Sequence, residues 1–313
     1  MPWYSQESGT SSIDKTALFF AKGVPDIAIT YCYSNMMNKR RLGQNFLIST
    51  RIARRIAQTA AIRAGDTVIE IGPGKGALTR HLLKTGARII AVEIDPYLVQ
   101  LLREKFASEQ NLVIINDDIL TQSISALTHQ GNQTESVTKI IGNIPFSITS
   151  PLIEWLIHEK PFFHQALLML QKEFAARLIA SPHNKDYGKL SVIAELYFER
   201  KFSFDVKKNM FYPVPKVDAT VIKLTVRDKL TIPVQNNAIP SFEEFLIHCF
   251  AHRRKTLLKS LQVSYGGKKS AALKNKLLGI LTDLNIKTNI RAEQLTLAEF
   301  WTLFKHLDKQ ESL

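Results

Sequence analysis

A glycine-rich segment of this chain has the residue types and spacing needed to bind a nucleotide-like cofactor. It runs Glu70-Ile-Gly72-Pro-Gly74-Lys-Gly76 and directly follows an apolar run. Glycines where a strand turns into a helix let the backbone approach a ligand, which the helix N-terminus then faces. The spacing is G-x-G-x-G instead of the G-x-G-x-x-G of dinucleotide enzymes, and Pro73 lacks an amide N–H that could bind pyrophosphate. The alternative interpretation is a tight strand–helix turn without a ligand.

Two acidic residues follow later apolar runs and could bind the rest of such a cofactor. Glu93 comes 17 positions after Gly76, where an acid can accept hydrogen bonds from both ribose hydroxyls. NAD and S-adenosylmethionine both offer such a ribose. Asp118 is suited to accept from the exocyclic amine of adenine, although Asp117-Asp118 could also serve as a turn or helix cap.

The segment Gly142-Asn143-Ile144-Pro145-Phe146 distinguishes between these cofactors, since hydride-transfer enzymes have no need for it. The Asn143 side-chain oxygen and the Ile144 carbonyl can both accept from an NH2 group, and Pro145 stiffens the turn. Phe146 can stack on the ring that carries the amine. An amine held in this way points its lone pair at a sulfonium methyl group, so that positioning carries the reaction. The alternative is an ordinary Asn-x-Pro turn.

Alternating strand and helix patterns position these residues. Apolar runs predict strands at 67–71, 88–94, 112–115 and 139–142, and helical spacing predicts helices from Ser49 or Thr50, at 77–84 and at 96–106. This order predicts an α/β fold with a parallel sheet covered by helices. Asp118 and Asn143 then follow strand carboxyl ends, where open α/β sheets bind their ligands.

The composition bounds the class of protein and its partners. The 313 residues include 41 Lys and Arg against 28 Asp and Glu, a net charge of +13 that favours polyanions, with nucleic acid first. The two cysteines, Cys32 and Cys249, lie outside any CxxC or Cys/His cluster, which argues against a disulfide framework and a structural zinc site. No apolar run approaches the ~18 residues of a membrane span, and no secretory signal begins the chain. A cytoplasmic protein is expected.

A second, basic region follows the α/β pattern. The polar stretch 227–237 predicts a linker, and 237–313 has helical spacing. Residues 151–313 carry 25 basic and 16 acidic side chains, against 12 and 9 in 41–150. The run 253–276 has eight basic residues and no acid, which indicates polyanion binding, with Arg253, Arg254, Lys255 and Lys259 as candidates, rather than a solvated face. Residues 1–37 predict a poorly ordered extension.

Several motifs in a fixed order give the chain a family resemblance. They are Leu42-Gly-Gln-Asn-Phe-Leu47, 70–79 with Glu93, Asp118-Ile-Leu120, 142–151, Leu170-Gln-Lys-Glu-Phe174, Tyr187-Gly-Lys-Leu-Ser-Val192, Phe211-Tyr-Pro-Val-Pro-Lys-Val-Asp218, Arg253-Arg-Lys-Thr256 and 291–300. Over about 38 to 305 the chain resembles ribosomal RNA adenine dimethyltransferases of the KsgA type.

The resemblance implies a fold and a site. The fold is a Rossmann-like, class I S-adenosylmethionine-dependent methyltransferase domain at 38–228 with a small C-terminal all-α RNA-binding domain at 237–313. The residues that the resemblance assigns to cofactor binding are Gln44, Asn45, Leu47, Gly72, Gly74, Glu93, Asp118 and Asn143. Catalysis falls to Asn143, Ile144, Pro145, Phe146 and Phe211, with Phe146 and Phe211 stacking on either side of a flipped adenine. No metal is implied.

The implied activity is N6,N6-dimethylation of two adjacent adenosines near the 3′ end of small-subunit ribosomal RNA, by a cytoplasmic monomer that acts on the pre-ribosomal small subunit. Ile144 and Phe146 stand where this type more commonly has Leu and Tyr. The same Asn-Ile-Pro-Phe form suits enzymes that methylate a large-subunit adenine and confer macrolide resistance. A non-catalytic ribosomal RNA-binding assembly factor on the same fold is a further alternative, and a nicotinamide dehydrogenase a remote one.

Overall fold

The computed structural model describes residues 44–128, 137–233, 238–265 and 269–308. The predicted extension at 1–37 lies outside these ranges, as does Cys32. The chain divides into two compact units, 1–44 and 45–313, and Gln44 is the described residue of the first. All of the architecture below belongs to the second unit.

Two sheets are formed by the described strands. The strands are β1 (Phe46–Leu47), β2 (Thr67–Ile71), β3 (Arg88–Glu93), β4 (Leu112–Asn116), β5 (Thr138–Asn143), β6 (Gln165–Gln171), β7 (Phe198–Val206), β8 (Phe211–Tyr212) and β9 (Ala219–Val226). β1 pairs with β8 alone, and the large sheet has the order β4-β3-β2-β5-β6-β9-β7. Its first five strands are parallel, while β9 runs antiparallel to both β6 and β7.

Helices cover both faces of the large sheet, and further helices come after its last strand in the chain. They are α1 (Thr50–Thr59), α2 (Thr79–Leu83), α3 (Pro96–Lys105), α4 (Ile124–Thr128), α5 (Thr149–Glu159), α6 (Lys172–Ile179), α7 (Lys189–Tyr197), α8 (Ile239–Phe250), α9 (Leu257–Tyr265), α10 (Lys269–Asp283) and α11 (Leu297–Asp308). The alternation of strands and helices confirms the predicted α/β class. The helix predicted at 77–84 is shorter than expected, because residues 74–78 form the turns of the glycine segment.

The central strands are apolar because both of their faces are covered. All five residues of β2 are buried, with Ile69 paired to Ile90 of β3 and to Ile140 of β5. Successive side chains alternate between two hydrophobic clusters, with Ile69 in one and Val68 in the other. Burial on both faces explains the continuous apolar runs from which the strands were predicted.

One of these clusters extends from the sheet into the helices after residue 238. It contains Ile69 of β2, Leu196 of α7, Phe242 of α8 and Phe300 of α11, all fully buried. α7 contacts both α8 and α11. The helices predicted for the C-terminal region are therefore observed, and they share a hydrophobic core with the α/β part. The domain limits 38–228 and 237–313 stay predictions.

Three further features of the described ranges concern the protein's class. Within them, no helix combines the length and the apolar character needed to span a membrane. The same residues contain no group of three or more His, Cys, Asp and Glu side chains arranged to hold a metal ion. Cys249 is buried in α8, and burial raises the pKa of its thiol well above the usual range.

Candidate active site

The glycine turn and Glu93 form the centre of the candidate site, at the carboxyl ends of β2 and β3. Gly72, Gly74 and Gly76 have φ of +62°, +57° and +74°. The Gly72 amide donates to the Val92 carbonyl (3.0 Å). Glu93 Oε2 accepts from the Gly74 amide (3.0 Å) and Oε1 from the Asp95 amide (3.1 Å). Glu93 therefore fixes the turn and holds both carboxylate oxygens in place.

Burial gives this carboxylate a shifted pKa. Glu93 is 3% exposed, and desolvation raises its pKa above the ordinary range, while the Asp95 and Gly74 amides act in the opposite direction. A buried carboxylate with two backbone donors is well placed to accept further hydrogen bonds from a diol, because each carboxylate oxygen has two lone pairs. This is the chemistry that ribose binding requires.

The segment 45–47 lies against the glycine turn. A Cβ on Gly74 would lie 3.0 Å from the ring of Phe46, so this ring covers the turn, and the positive φ at Gly74 favours glycine there. The Asn143 side chain donates from Nδ2 to the Asn45 carbonyl (3.0 Å). The structure thus brings together Asn45, Gly72, Gly74, Glu93 and Asn143, which the resemblance assigns to one cofactor site. The side chain of Leu47 is buried in the hydrophobic core, and its role in cofactor binding stays a prediction.

The segment after β5 buries the aliphatic side chain of Ile144 and uses its backbone amide within the fold. Ile144 is 1% exposed, and its Cδ1 occupies the space over Gly142, where a Cβ would lie 2.7 Å away. The Ile144 amide donates to the Met169 carbonyl of β6 (3.1 Å), and the Pro145 carbonyl accepts from the Ile148 amide (3.2 Å). Ile144 can therefore serve a substrate through its carbonyl alone. Phe146 is half-buried at the start of this turn.

Asp118 lies at the carboxyl edge of β4 and already has a structural role. Its Oδ1 accepts from the Leu120 amide (3.0 Å), capping the short turn Ile119–Thr121. The neighbouring Asp117 amide donates to the Glu93 carbonyl (3.2 Å), so the ends of β3 and β4 are joined. The contact of Asp118 with an adenine stays a prediction, compatible with its partial exposure.

Phe211 lies on the far side of the β1–β8 ladder from Phe46. It is 3% exposed, pairs with Leu47 and packs into a hydrophobic cluster. Its predicted contact with a flipped base would need the ring to leave this cluster. Of the two residues predicted to stack on the flipped base, Phe146 is partly exposed in the observed arrangement and Phe211 is buried. Gln44 belongs to the other unit of the chain, and its role in cofactor binding stays a prediction.

The four basic residues predicted to bind RNA do not occupy equivalent positions. Arg253 Nη2 donates to the carbonyls of Lys185 (2.6 Å) and Tyr187 (2.7 Å), which ties the turn 251–255 to the loop before α7. Arg254, Lys255 and Lys259 are exposed, and the turn lines a cavity of about 340 Å³. All four side chains are exposed, but Arg253 also holds the turn through these two carbonyls and an ion pair with Glu293 (3.6 Å).

Sequence reasoning missed three contributors to the site. Phe46 covers the glycine turn, Lys75 Nζ lies 5.1 Å from the centre of the Phe46 ring, and Asn116 Nδ2 donates to the Glu93 carbonyl (2.9 Å). Phe46 and Lys75 lie in the motif at 42–47 and in the glycine segment, but their contact depends on a two-residue ladder that leaves no periodic pattern. Asn116 had a signal available, as a polar residue at a strand carboxyl end.

Glu70 is a buried carboxyl beneath the glycine turn. It is 1% exposed and its Oε2 has no hydrogen-bond partner among the described residues. Its pKa is raised to about 8, mainly by desolvation and also by the charge of Glu93, while hydrogen bonding from Thr79 acts in the opposite direction. The folded protein therefore keeps a proton on Glu70 that the unfolded chain loses near pH 4.5.

This proton makes stability depend on pH. Since the folded state binds the proton more tightly, we expect the free energy of unfolding to fall as pH rises from about 4.5 to about 8. Glu70→Gln removes this titration. The variant should therefore keep a free energy of unfolding on the order of 3 kcal/mol that the unmodified protein loses between about pH 4.5 and pH 7. Urea unfolding across this pH range measures the slope, with the exposed Glu109→Gln as control. Parallel pH profiles for Glu70→Gln and the unmodified protein would contradict a protonated Glu70.

The fold and the site together define a class I S-adenosylmethionine-dependent methyltransferase. The evidence is the large sheet with its antiparallel β9, the glycine turn after β2, the acid that ends β3 and the Asn143 segment after β5. The chain belongs to the ribosomal RNA adenine dimethylase family, whose model matches residues 35–303. The family resemblance seen in the motifs is confirmed.

Individual relatives and solved structures agree with this assignment. A ribosomal RNA small subunit methyltransferase A from Streptococcus agalactiae is 38% identical over 269 residues, 85% of this chain and 90% of the relative. A ribosomal RNA small subunit methyltransferase A from Levilactobacillus brevis is 36% identical over 266 residues, 85% of this chain and 88% of the relative. A dimethyladenosine transferase structure from Plasmodium falciparum has a TM-score of 0.70 at 25% identity, over 85% and 98%. The structure of the 23S rRNA methyltransferase ErmE has a TM-score of 0.63 at 29% sequence identity, and the match covers 84% of this chain and 100% of that one.

Proposed function

We propose that this enzyme transfers methyl groups from S-adenosylmethionine to N6 of two adjacent adenosines near the 3′ end of small-subunit ribosomal RNA. The observation that carries the proposal is the placement of Asn143. Its amide is anchored on Asn45 beside the glycine turn, at the strand end where the cofactor and an adenine amine would meet. Action on the pre-ribosomal small subunit belongs to the same proposal, and the relatives named as small-subunit methyltransferases support it. A monomeric, cytoplasmic enzyme is also part of the proposal.

The residues present fit the cofactor. A Cβ at Gly74 would be in tight contact with the Phe46 ring, and the buried Glu93 carboxylate is fixed by two amides. Glu93 would hold the ribose, Asp118 the adenine, and the backbone of 45–47 with the glycine turn the remainder. When bound, S-adenosylmethionine supplies a methyl group activated by a sulfonium.

The chain's own residues orient the target amine. Asn143 Nδ2 is committed to the Asn45 carbonyl, so its Oδ1 is the atom offered to the N6 amine. The Ile144 carbonyl offers a second acceptor from a backbone held by Met169. Two acceptors fix the two N–H groups and direct the nitrogen lone pair out of conjugation, while Phe146 stacks on the ring. The methylated nitrogen loses its proton readily, so no dedicated base is required.

A large-subunit target is the second candidate. The Asn-Ile-Pro-Phe sequence and the similarity to ErmE favour it, whereas the relatives named as small-subunit enzymes favour the first. Labelled S-adenosylmethionine, offered separately with undermethylated small subunits and with large-subunit RNA, separates the two. Dimethyladenosine in the small subunit supports the proposal. Label in the large-subunit RNA alone overturns it, and RNA binding without label on either indicates a non-catalytic assembly factor.

The exposed cations after α8 are proposed to bind RNA phosphates. Arg254, Lys255 and Lys259 are exposed, and Arg254 and Lys255 line the cavity of the turn 251–255. Arg254→Ala with Lys255→Ala is expected to weaken RNA binding and to reduce the slope of log K against log salt by about 1.4, at roughly 0.7 for each single-strand phosphate contact. Equilibrium binding at several salt concentrations measures this slope.

The control is a double variant at the amino ends of β2 and β3. Arg63 and Lys84 are exposed and precede β2 and β3, so Arg63→Ala with Lys84→Ala removes the same charge from outside the proposed interface. An equal slope change in both double variants would show a nonspecific charge effect. Arg253→Ala is a poor test, because it removes the contacts with the Lys185 and Tyr187 carbonyls.

A further inference from the structure

The two-stranded ladder of β1 and β8 has one buried and one accessible face. Phe46 pairs with Tyr212 and Leu47 with Phe211. Paired residues of an antiparallel ladder project to the same side. Leu47 and Phe211 are 8% and 3% exposed in the hydrophobic core, so Phe46 and Tyr212 share the other face.

This accessible face belongs to the candidate site. Phe46 covers Gly74, and the adjacent Asn45 carbonyl accepts from Asn143. Tyr212 is 67% exposed on the same side. A large aromatic ring is thus held at the edge of the site by a main-chain ladder, yet most of its surface is accessible.

The surroundings of Tyr212 are apolar and cationic. Ile48, which follows β1, and Val214, two residues after Tyr212, are also more than half exposed. Exposed Lys208 and Lys216 flank β8 in sequence. The nearby acid, Asp218, is neutralised by Lys207 Nζ (3.0 Å) and accepts from the Lys208 amide (2.9 Å). Exposed aromatic surface interleaved with cations is the combination that binds single-stranded nucleic acid.

We propose that Tyr212 stacks on a base that flanks the target adenosine in the RNA strand. This inference rests on the proposed function and adds a second aromatic contact to that of Phe146. Asn143, Ile144 and Phe146 account for the target base, so Tyr212 is available to its neighbour. Stacking there holds the strand while the target base leaves its stack.

Substitution with a separate readout for binding and turnover tests the role. Tyr212→Ala is expected to raise KM for undermethylated small subunits about tenfold with kcat nearly unchanged, since base–aromatic stacking is worth ~1–3 kcal/mol. Tyr212→Phe keeps the ring and should stay within about twofold of the unmodified enzyme. The control is Phe202→Ala, which removes an aromatic ring that is 57% exposed on β7 of the other sheet.

A binding experiment makes the test independent of turnover. We use single-stranded RNA that carries 2-aminopurine beside the target adenosine. Its fluorescence should be quenched on binding to the unmodified enzyme and to Tyr212→Phe, but far less on binding to Tyr212→Ala. Unchanged KM and quenching in Tyr212→Ala would overturn the proposal and leave the patch to a protein partner. Equal losses in Tyr212→Phe and Tyr212→Ala would also overturn stacking. If the unmodified enzyme labels no small subunits, the proposed function fails, while the quenching still decides the role of Tyr212.

Discussion

Asn143→Ala is expected to lower kcat for methyl transfer by at least about a hundredfold. The variant loses the side-chain oxygen proposed to hold the N6 amine and the Nδ2 bond to the Asn45 carbonyl, which positions the segment over the glycine turn. Small errors in the position of reacting atoms cost about this much. RNA binding should stay near that of the unmodified enzyme, because the phosphate contacts lie elsewhere. Single-turnover methylation of undermethylated subunits, with RNA affinity measured in parallel, gives both quantities.

Asn143→Asp refines this test. A carboxylate cannot donate to the Asn45 carbonyl at 3.0 Å and would instead repel it, so the isosteric variant should be nearly as impaired as the alanine variant. Gln58→Ala removes an exposed amide from α1 and serves as the control. Asn143→Ala with activity close to that of the unmodified enzyme would remove Asn143 from the mechanism.

Glu93→Ala is expected to weaken S-adenosylmethionine binding about a hundredfold. The Gly74 and Asp95 amides lose their acceptor, which releases the glycine turn, and the ribose loses its carboxylate partner. Hydrogen bonds to a charged group contribute roughly 1.5–3 kcal/mol each, so the loss corresponds to about one or two of them. Calorimetric titration with S-adenosylmethionine and with S-adenosylhomocysteine measures the affinity.

Glu93→Gln separates the turn from the ribose. Glutamine keeps one oxygen acceptor but replaces the other with a donor, so it can satisfy only one of the two amides, and we expect an intermediate affinity. The control is Glu104→Ala, an exposed acid in α3. Affinity within threefold of the unmodified protein in Glu93→Ala would show that another group binds the ribose.

The central sheet could be predicted because its evidence is local. Each inner strand is buried on both faces, so runs such as 67–71 are apolar throughout, and the parallel order then brings Glu93 and Asn143 to one edge. The α/β class and much of the site follow from that geometry.

The parts that were missed depend on contacts between distant segments. Phe46 reaches Gly74 through a strand of two residues paired with Phe211–Tyr212, too short to leave a periodic pattern. The same ladder buries Phe211 and exposes Tyr212, although both are aromatic. Arg253 shows the same limit, since the carbonyls that it contacts lie in the loop before α7.

The shared hydrophobic core also bears on how such enzymes diversify. Phe242 and Phe300 pack in the same cluster as Leu196 of α7 and Ile69 of β2. The helices after residue 238 are therefore not a module that recombination could exchange without also exchanging the matching surface of α7. Changes of target in this architecture are accordingly expected to arise by point substitution on exposed positions rather than by shuffling of the helical tail.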